Sequence, residues 1–125
     1  MPDDPIPREI RDFIARYIDS VAQLEALLLL RDNPGDIWDR RRVAERLYTS
    51  EDETALFLAR LCDDGLLSAA DGVYRYDAHS PELAALVDRL AERYKRHLIP
   101  ITNLIHAKPR RIREFADAFK LKKDE

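Results

Sequence analysis

Apolar residues recur every three or four positions along most of this chain, a spacing typical of amphipathic helices. Strict alternation of apolar and polar residues, the pattern of a half-buried strand, is confined to the residues around Val73–Tyr76. The chain has only 3 glycines, too few to favour an all-β fold with many tight turns. The sequence therefore predicts a mainly α fold with one small β-hairpin.

Local signals divide the helical pattern into separate helices. A serine followed three residues later by Gln or Glu, the capping box, occurs at Ser20 and at Ser50. Asp39 and Ser80 are predicted N-caps of two further helices, the second with proline at its first position. Asn33-Pro34-Gly35 is a strong stop signal for the helix that begins after Ser20.

The predicted hairpin follows the helix that Ser50 opens. Gly65 suits the left-handed position just after a helix end, and Leu66-Leu67-Ser68 then reads as a strand. Asp71-Gly72 is a turn signal, and Val73–Tyr76 is the predicted return strand.

A longer apolar repeat follows Pro81 and advances by alternating steps of four and three residues, the heptad rhythm. Its members are Leu83, Val87, Leu90, Tyr94, His97, Ile101 and Leu104. Pro100 should kink or split this helix, because proline lacks the backbone N–H and its ring clashes with the preceding turn.

The order of helix, short strand, two helices and hairpin resembles the winged-helix fold. The segments that carry the resemblance are Leu24–Leu30, Ile37-Trp38, Val43–Leu47, Leu58–Leu61, Gly65–Leu67 and Asp71–Tyr76. Within them, Trp38 is predicted to anchor the core. The long helix after the wing is similar in layout to regulators of the MarR type, and in that family terminal helices form a dimer.

We therefore expect four parts in the chain. They are an irregular arm over residues 1–7, a winged-helix domain over 8–80, a long helix over 81–107 that can supply a dimer contact, and a basic amphipathic segment over 108–125. The predicted protein-interface residues are apolar or aromatic: Phe57, Tyr94, Leu98, Ile101, Leu104, Phe115 and Phe119.

The resemblance implies that residues 51–63 form a recognition helix lying in a DNA major groove. The charge of this region argues against that role, since five carboxylates and only one basic residue, Arg60, lie between Thr49 and Leu66. Arginines elsewhere are candidates for DNA phosphate contacts: Arg40, Arg41, Arg42, Arg46, Arg75, Arg110, Arg111 and Arg113.

Composition and motifs favour a non-catalytic protein. The sequence has no G-x-S-x-G elbow, P-loop or dinucleotide fingerprint, and its histidines and Cys62 lack metal-ligand spacing, so no cofactor or metal is expected. A single cysteine fits a reducing cytoplasm, and Cys62 is expected to be a structural thiol. The acidic N-terminus is not that of a signal peptide, and Leu27–Leu30, the longest apolar run, is too short to span a membrane.

Three functions remain open at this point. The favoured one is a regulatory winged-helix module that binds a protein partner, or a second copy of itself as a homodimer. The alternative is a DNA-binding transcriptional regulator, which the net charge of −3 disfavours but does not exclude. The third is a structural subunit of a larger complex.

Overall fold

A computed structural model of the protein describes residues 6–108. This part contains the helices α1 (Arg8–Tyr17), α2 (Val21–Asp32), α3 (Arg40–Leu47), α4 (Glu51–Asp63), α5 (Pro81–Arg96) and α6 (Leu98–His106), and the strands β1 (Leu67–Ala70) and β2 (Val73–Tyr76). The fold is mainly helical with a two-stranded antiparallel hairpin, which confirms the predicted fold class. The element order from α2 to β2 is compatible with a winged-helix layout.

Side-chain caps set the starts of four helices where the sequence predicts them. In each case a side-chain oxygen accepts a hydrogen bond from the backbone N–H three residues later, at 2.8–3.1 Å. The capping residues are Ser20 for α2, Asp39 for α3, Ser50 for α4 and Ser80 for α5. Each cap satisfies a backbone donor that the helix itself leaves without a partner.

The hairpin begins one residue later than predicted. Gly65 takes the expected left-handed conformation, with φ of +79°, and the N–H of Leu66 donates back to the carbonyl of Leu61 in α4. Leu66 therefore still belongs to the helix end, and β1 starts at Leu67. The turn at Asp71 and Gly72 has positive φ at both residues, 54° and 78°, as a two-residue hairpin of this kind requires.

Trp38 joins this hairpin to the helices. Its backbone carbonyl accepts a 2.8 Å hydrogen bond from the N–H of Tyr74 in β2, forming an isolated antiparallel bridge. Its indole is 1% exposed, and Nε1 donates to the carbonyl of Asn33 at 3.1 Å. The predicted short strand is thus reduced to one bridging residue, and Trp38 is confirmed as part of the core.

The core centres on α2, which contacts α3, α4 and β2 as well as α6. Leu24, Leu27 and Leu30 of α2 are at most 1% exposed. Helix α1 packs against α5 and α6 and adds Ile10 and Ile14, both fully buried. The helices that flank the winged-helix-like part therefore share one core with it.

The helix expected over residues 81–107 is divided into α5 and α6, and the break lies at His97. Pro100 explains the split, because in a continuous helix its ring would clash with the carbonyl of Arg96. With the break at His97, Pro100 falls in the first turn of α6, where the missing N–H costs nothing. Among the helices of residues 6–108, none is long and apolar enough to cross a membrane.

Candidate functional site

The first two candidate phosphate contacts on α3 are engaged in ion pairs within the chain. The Nε atom of Arg40 lies 3.6 Å from Oε1 of Glu51, at the start of α4. The Nε atom of Arg41 lies 3.4 Å from Oε2 of Glu45, one turn further along α3. Both pairs are largely exposed, so each contributes little to stability and a stronger anion could replace the carboxylate.

The other two arginines of α3 cover Trp38. The guanidinium carbons of Arg42 and Arg46 lie 4.7 Å and 5.6 Å from the centroid of the indole ring, within the range of cation–π contacts. Arg42 also donates from Nη1 to the carbonyl of Ile37 at 2.6 Å. The two arginine side chains thus pack over the buried Trp38. A phosphate that bound them would have to compete with these contacts to the indole ring.

Arg75 is the candidate phosphate contact least committed to the fold. It lies on β2 opposite Ser68, is exposed, and forms no ion pair with another residue of the described chain. Three further candidates, Arg110, Arg111 and Arg113, lie outside residues 6–108. The five candidates within the described residues thus comprise four arginines on α3 and one on β2.

The exposed side of α4, which we call the acidic face, is formed by Glu51, Asp52, Glu53 and Asp63. Acidic residues in the first turn are favourable for the helix, because they lie at the positive end of its dipole. Leu56 lies on the same side with 74% of its surface exposed. The acidic face thus combines negative charge with one large apolar side chain.

A recess of about 190 Å³ adjoins the acidic face where α4 meets the start of α2. This α4 recess is lined by Asp19, Gln23, Glu53, Leu56, Phe57 and Arg60. Phe57, a predicted interface residue, is only 8% exposed and packs in the core. Phe57 forms a wall of the recess, and Leu56 beside it is the exposed apolar side chain.

Gln23 is the unusual polar residue of the α4 recess. Its side chain is 1% exposed, and Oε1 accepts a 2.6 Å hydrogen bond from the N–H of Asp19. Its Nε2 has no hydrogen-bond partner among residues 6–108. If the side-chain amide of Gln23 were flipped, Nε2 would face the N–H of Asp19, and two donors would oppose each other. The orientation is therefore fixed, and Nε2 is a buried donor with no acceptor among residues 6–108.

Charged side chains of both signs meet at the edge of this recess. Asp19 binds Nη1 of Arg60 through Oδ2 at 3.0 Å and lies 3.3 Å from Nζ of Lys108 through Oδ1. Burial raises the pKa of the nearby Asp64, and the carboxylates of Asp19 and Asp63 add to that effect against the opposing charge of Arg60. The largest cause is burial, so the raised pKa of Asp64 reflects mainly the desolvation of its carboxyl group.

The predicted dimer contacts divide between core and surface. Ile101 is fully buried, and Leu104 packs against the core. The heptad spacing at these two positions therefore reflects packing within the chain, and Ile101 is not accessible to a partner. Leu98 is 49% exposed, and Ile99, which the heptad analysis missed, is 65% exposed. Phe115 and Phe119 lie outside the described residues.

Tyr94, another predicted interface residue, is half-buried, and its hydroxyl donates to Oε2 of Glu25 on α2 at 3.0 Å. Burial, followed by this hydrogen bond and the charge of Glu25, raises the pKa of Tyr94 to about 12. An unfolded tyrosine ionises near pH 10. The Tyr94 contribution to stability is therefore complete below pH 10 and is lost between about pH 10 and 12, where only the unfolded state releases the proton.

We accordingly expect the free energy of unfolding to fall more steeply between pH 10 and 12 in the wild type than in Tyr94→Phe. Urea denaturation at several alkaline pH values measures this difference, and absorbance at 295 nm follows the tyrosinate directly. Tyr48→Phe is the matched control, because Tyr48 is 95% exposed. Identical pH profiles for wild type and Tyr94→Phe would contradict the assignment.

Metal-binding side chains and the thiol of Cys62 are two further candidates for chemistry. Within residues 6–108, no group of three or more His, Cys, Asp or Glu side chains is placed to hold a metal ion. Burial, helped by the charge of Asp63, raises the pKa of the Cys62 thiol, which lowers its reactivity at neutral pH. Cys62 is only partly buried.

The sequence analysis missed one exposed aromatic residue. Tyr48 ends α3 in the left-handed conformation, with φ of 57°, and presents nearly all its surface in the turn before α4. Left-handed backbone is unusual for a tyrosine, and no sequence signal marked it.

Compared with family models, curated proteins and solved structures, the chain matches none of them.

Proposed function

We propose that this protein is a non-catalytic, regulatory interaction module built on a winged-helix plan, and that the acidic face of α4 binds a basic segment of a protein. The observation that carries the proposal is the surface of α4 itself. Four exposed carboxylates accompany the exposed Leu56 at the position where a winged-helix regulator presents its DNA-reading side chains. Such a surface repels a DNA backbone and attracts a cationic, partly apolar ligand.

The arginines around α4 support the same proposal. Arg42 and Arg46 lie over Trp38, so two of the four α3 arginines contribute to the packing of the fold. Side chains that commonly read bases in the major groove are Arg, Lys, Asn and Gln, and Arg60 is the only one on α4. Its guanidinium is bonded to Asp19.

The alternative function is a DNA-binding transcriptional regulator that contacts phosphates without reading bases. The exposed Arg75 on the wing strand favours it, together with the basic residues from Lys108 onward in the sequence. Its expected sign is an affinity for DNA that falls steeply as the salt concentration rises.

A homodimer through α5 and α6, the other part of the favoured hypothesis, would rest on Leu98 and Ile99. A stable interface buries about 800 Å² on each partner, more than two side chains supply. Further residues of the chain would therefore have to join such a contact.

The two functions differ in what Arg75 does for DNA binding. We expect Arg75→Glu to change the affinity for a labelled random duplex by less than about twofold relative to the control Arg8→Glu. Arg8 has the same charge, and its side chain is 94% exposed on α1, a different element from α4 and the hairpin. Fluorescence anisotropy between 50 and 200 mM salt measures both affinities, because phosphate contacts weaken as salt rises.

The control separates a local contact from a general effect of net charge. Equal affinities of the two variants, or the absence of duplex binding at low salt, support the interaction module. A loss of tenfold or more that is specific to Arg75→Glu would overturn the proposal in favour of the DNA-binding regulator.

A further inference from the structure

Lys108 fixes the place at which the C-terminal residues leave the described fold. Its Nζ donates to the carbonyls of Ile14, at 3.1 Å, and Ile18, and lies 3.3 Å from Oδ1 of Asp19. The side chain is only 16% exposed. A cation bonded to the last carbonyls of a helix is favourably placed in the field of its dipole. The side chain of Lys108, the last described residue, therefore lies at the end of α1.

Asp19 connects this exit point to the α4 recess. One carboxylate oxygen receives Lys108 and the other receives Arg60 of α4, at 3.0 Å. Asp19 also lines the recess. The chain thus leaves the fold at the edge of the recess rather than on a distant surface.

The α4 recess lacks a partner that the following segment can provide. The carboxylates of Glu51, Asp52, Glu53 and Asp63 on the acidic face are exposed. Leu56 leaves a large apolar surface at the rim. An occupant of this surface therefore needs an apolar side chain to cover Leu56 and positive charges that complement the exposed carboxylates of the acidic face.

Residues 109–125 carry this chemistry in their sequence. The segment has 6 basic and 4 acidic residues, with Arg110, Arg111 and Arg113 near its start, and apolar residues recur at helical spacing at Ile112, Phe115, Ala116 and Phe119. A helix of this length spans about 25 Å and the 13 residues of α4 about 20 Å, so the segment is long enough to run along the acidic face.

We propose that residues 109–125 dock in cis onto the α4 recess and the acidic face of the same chain. The arginines contact the carboxylates, and an apolar residue of the segment covers Leu56. Because the same face is the proposed partner site, a partner must displace the segment, which makes it an autoinhibitory element; this consequence rests on the proposed function. The docking contact itself is measured independently of it.

Disulfide formation in the full-length chain tests the contact. With Cys62→Ala removing the native thiol, Leu56→Cys and Ala116→Cys place one cysteine on α4 and one in the segment. We expect an intrachain disulfide to form at least tenfold faster in glutathione buffer than in a control that pairs Ala116→Cys with Ala15→Cys. Ala15 is exposed on α1, next to the Ile14 carbonyl that Lys108 contacts, so an undirected segment reaches it as easily.

Gel mobility and mass spectrometry give three distinct outcomes. A fast intrachain disulfide supports docking in cis. Equal rates for the two pairs overturn it, and a dimer linked by disulfides shows that a second copy supplies the segment, which also overturns it. High salt should reduce the difference between the pairs, because exposed charges are screened.

Hydrogen exchange tests the proposal without new cysteines. The variant Arg110→Glu/Arg111→Glu/Arg113→Glu should exchange the amides of α4 several-fold faster than the wild type, while those of α5 remain unchanged. Unaltered exchange in α4 would overturn docking. Unaltered exchange would leave the proposed function intact, because that function is tested separately by the effect of Arg75→Glu on DNA binding. Conversely, an α4 that binds DNA would not for that reason form the disulfide.

Discussion

Replacing Trp38 by alanine should cost about 3–5 kcal/mol of stability, the range for removing a large aromatic side chain from a core. The indole is 1% exposed and lies where the hairpin meets α2 and α3. Removing the indole opens a cavity and breaks the hydrogen bond from Nε1 to the carbonyl of Asn33. It also removes the ring that the guanidinium groups of Arg42 and Arg46 contact. A domain of this size is stable by only about 5–15 kcal/mol, so the variant should unfold at much lower urea.

Urea denaturation followed by circular dichroism at 222 nm measures the effect, because Trp38 is the only tryptophan and its fluorescence is lost with it. Trp38→Phe is the matched control: it keeps an aromatic ring in the core but loses the hydrogen bond to Asn33, and should cost about 1–2 kcal/mol. A cost below about 1 kcal/mol for Trp38→Ala would show that the hairpin does not depend on this anchor.

Local physics made much of this fold predictable. Ser20, Asp39, Ser50 and Ser80 cap helices because a short side-chain oxygen reaches the backbone N–H three residues later, whatever the rest of the chain does. Asp71-Gly72 makes a turn for an equally local reason, since both residues tolerate positive φ.

Contacts between distant residues were not predictable in the same way. The heptad rhythm identified an apolar stripe that includes Ile101, but a stripe cannot indicate whether it faces its own core or a second subunit, and here Ile101 is in the core. The α4 recess depends on Asp19 meeting Arg60, 41 residues later, and no sequence spacing encodes that pair. The negative charge of α4, in contrast, was already visible in its composition.

Lys108 provides the second large expected effect, because one ammonium group serves three acceptors. The carbonyl of Ile14 also accepts from the N–H of Ile18 at 3.0 Å, so it keeps a partner if Lys108 is lost. The carboxylate of Asp19 likewise keeps Arg60, whereas the carbonyl of Ile18 accepts a hydrogen bond from the lysine ammonium. Hydrogen bonds that involve a charged group are the stronger class, worth about 1.5–3 kcal/mol.

Lys108→Met keeps the length and the methylene packing of the side chain but removes the charge and the donors. We expect the free energy of unfolding to fall by about 1.5–3 kcal/mol in urea denaturation at pH 7. Lys95→Met is the control, because it removes the same charge from an exposed position on α5 and should cost less than about 0.5 kcal/mol. Equal losses in the two variants would show that Lys108 does not hold the start of the C-terminal segment against α1.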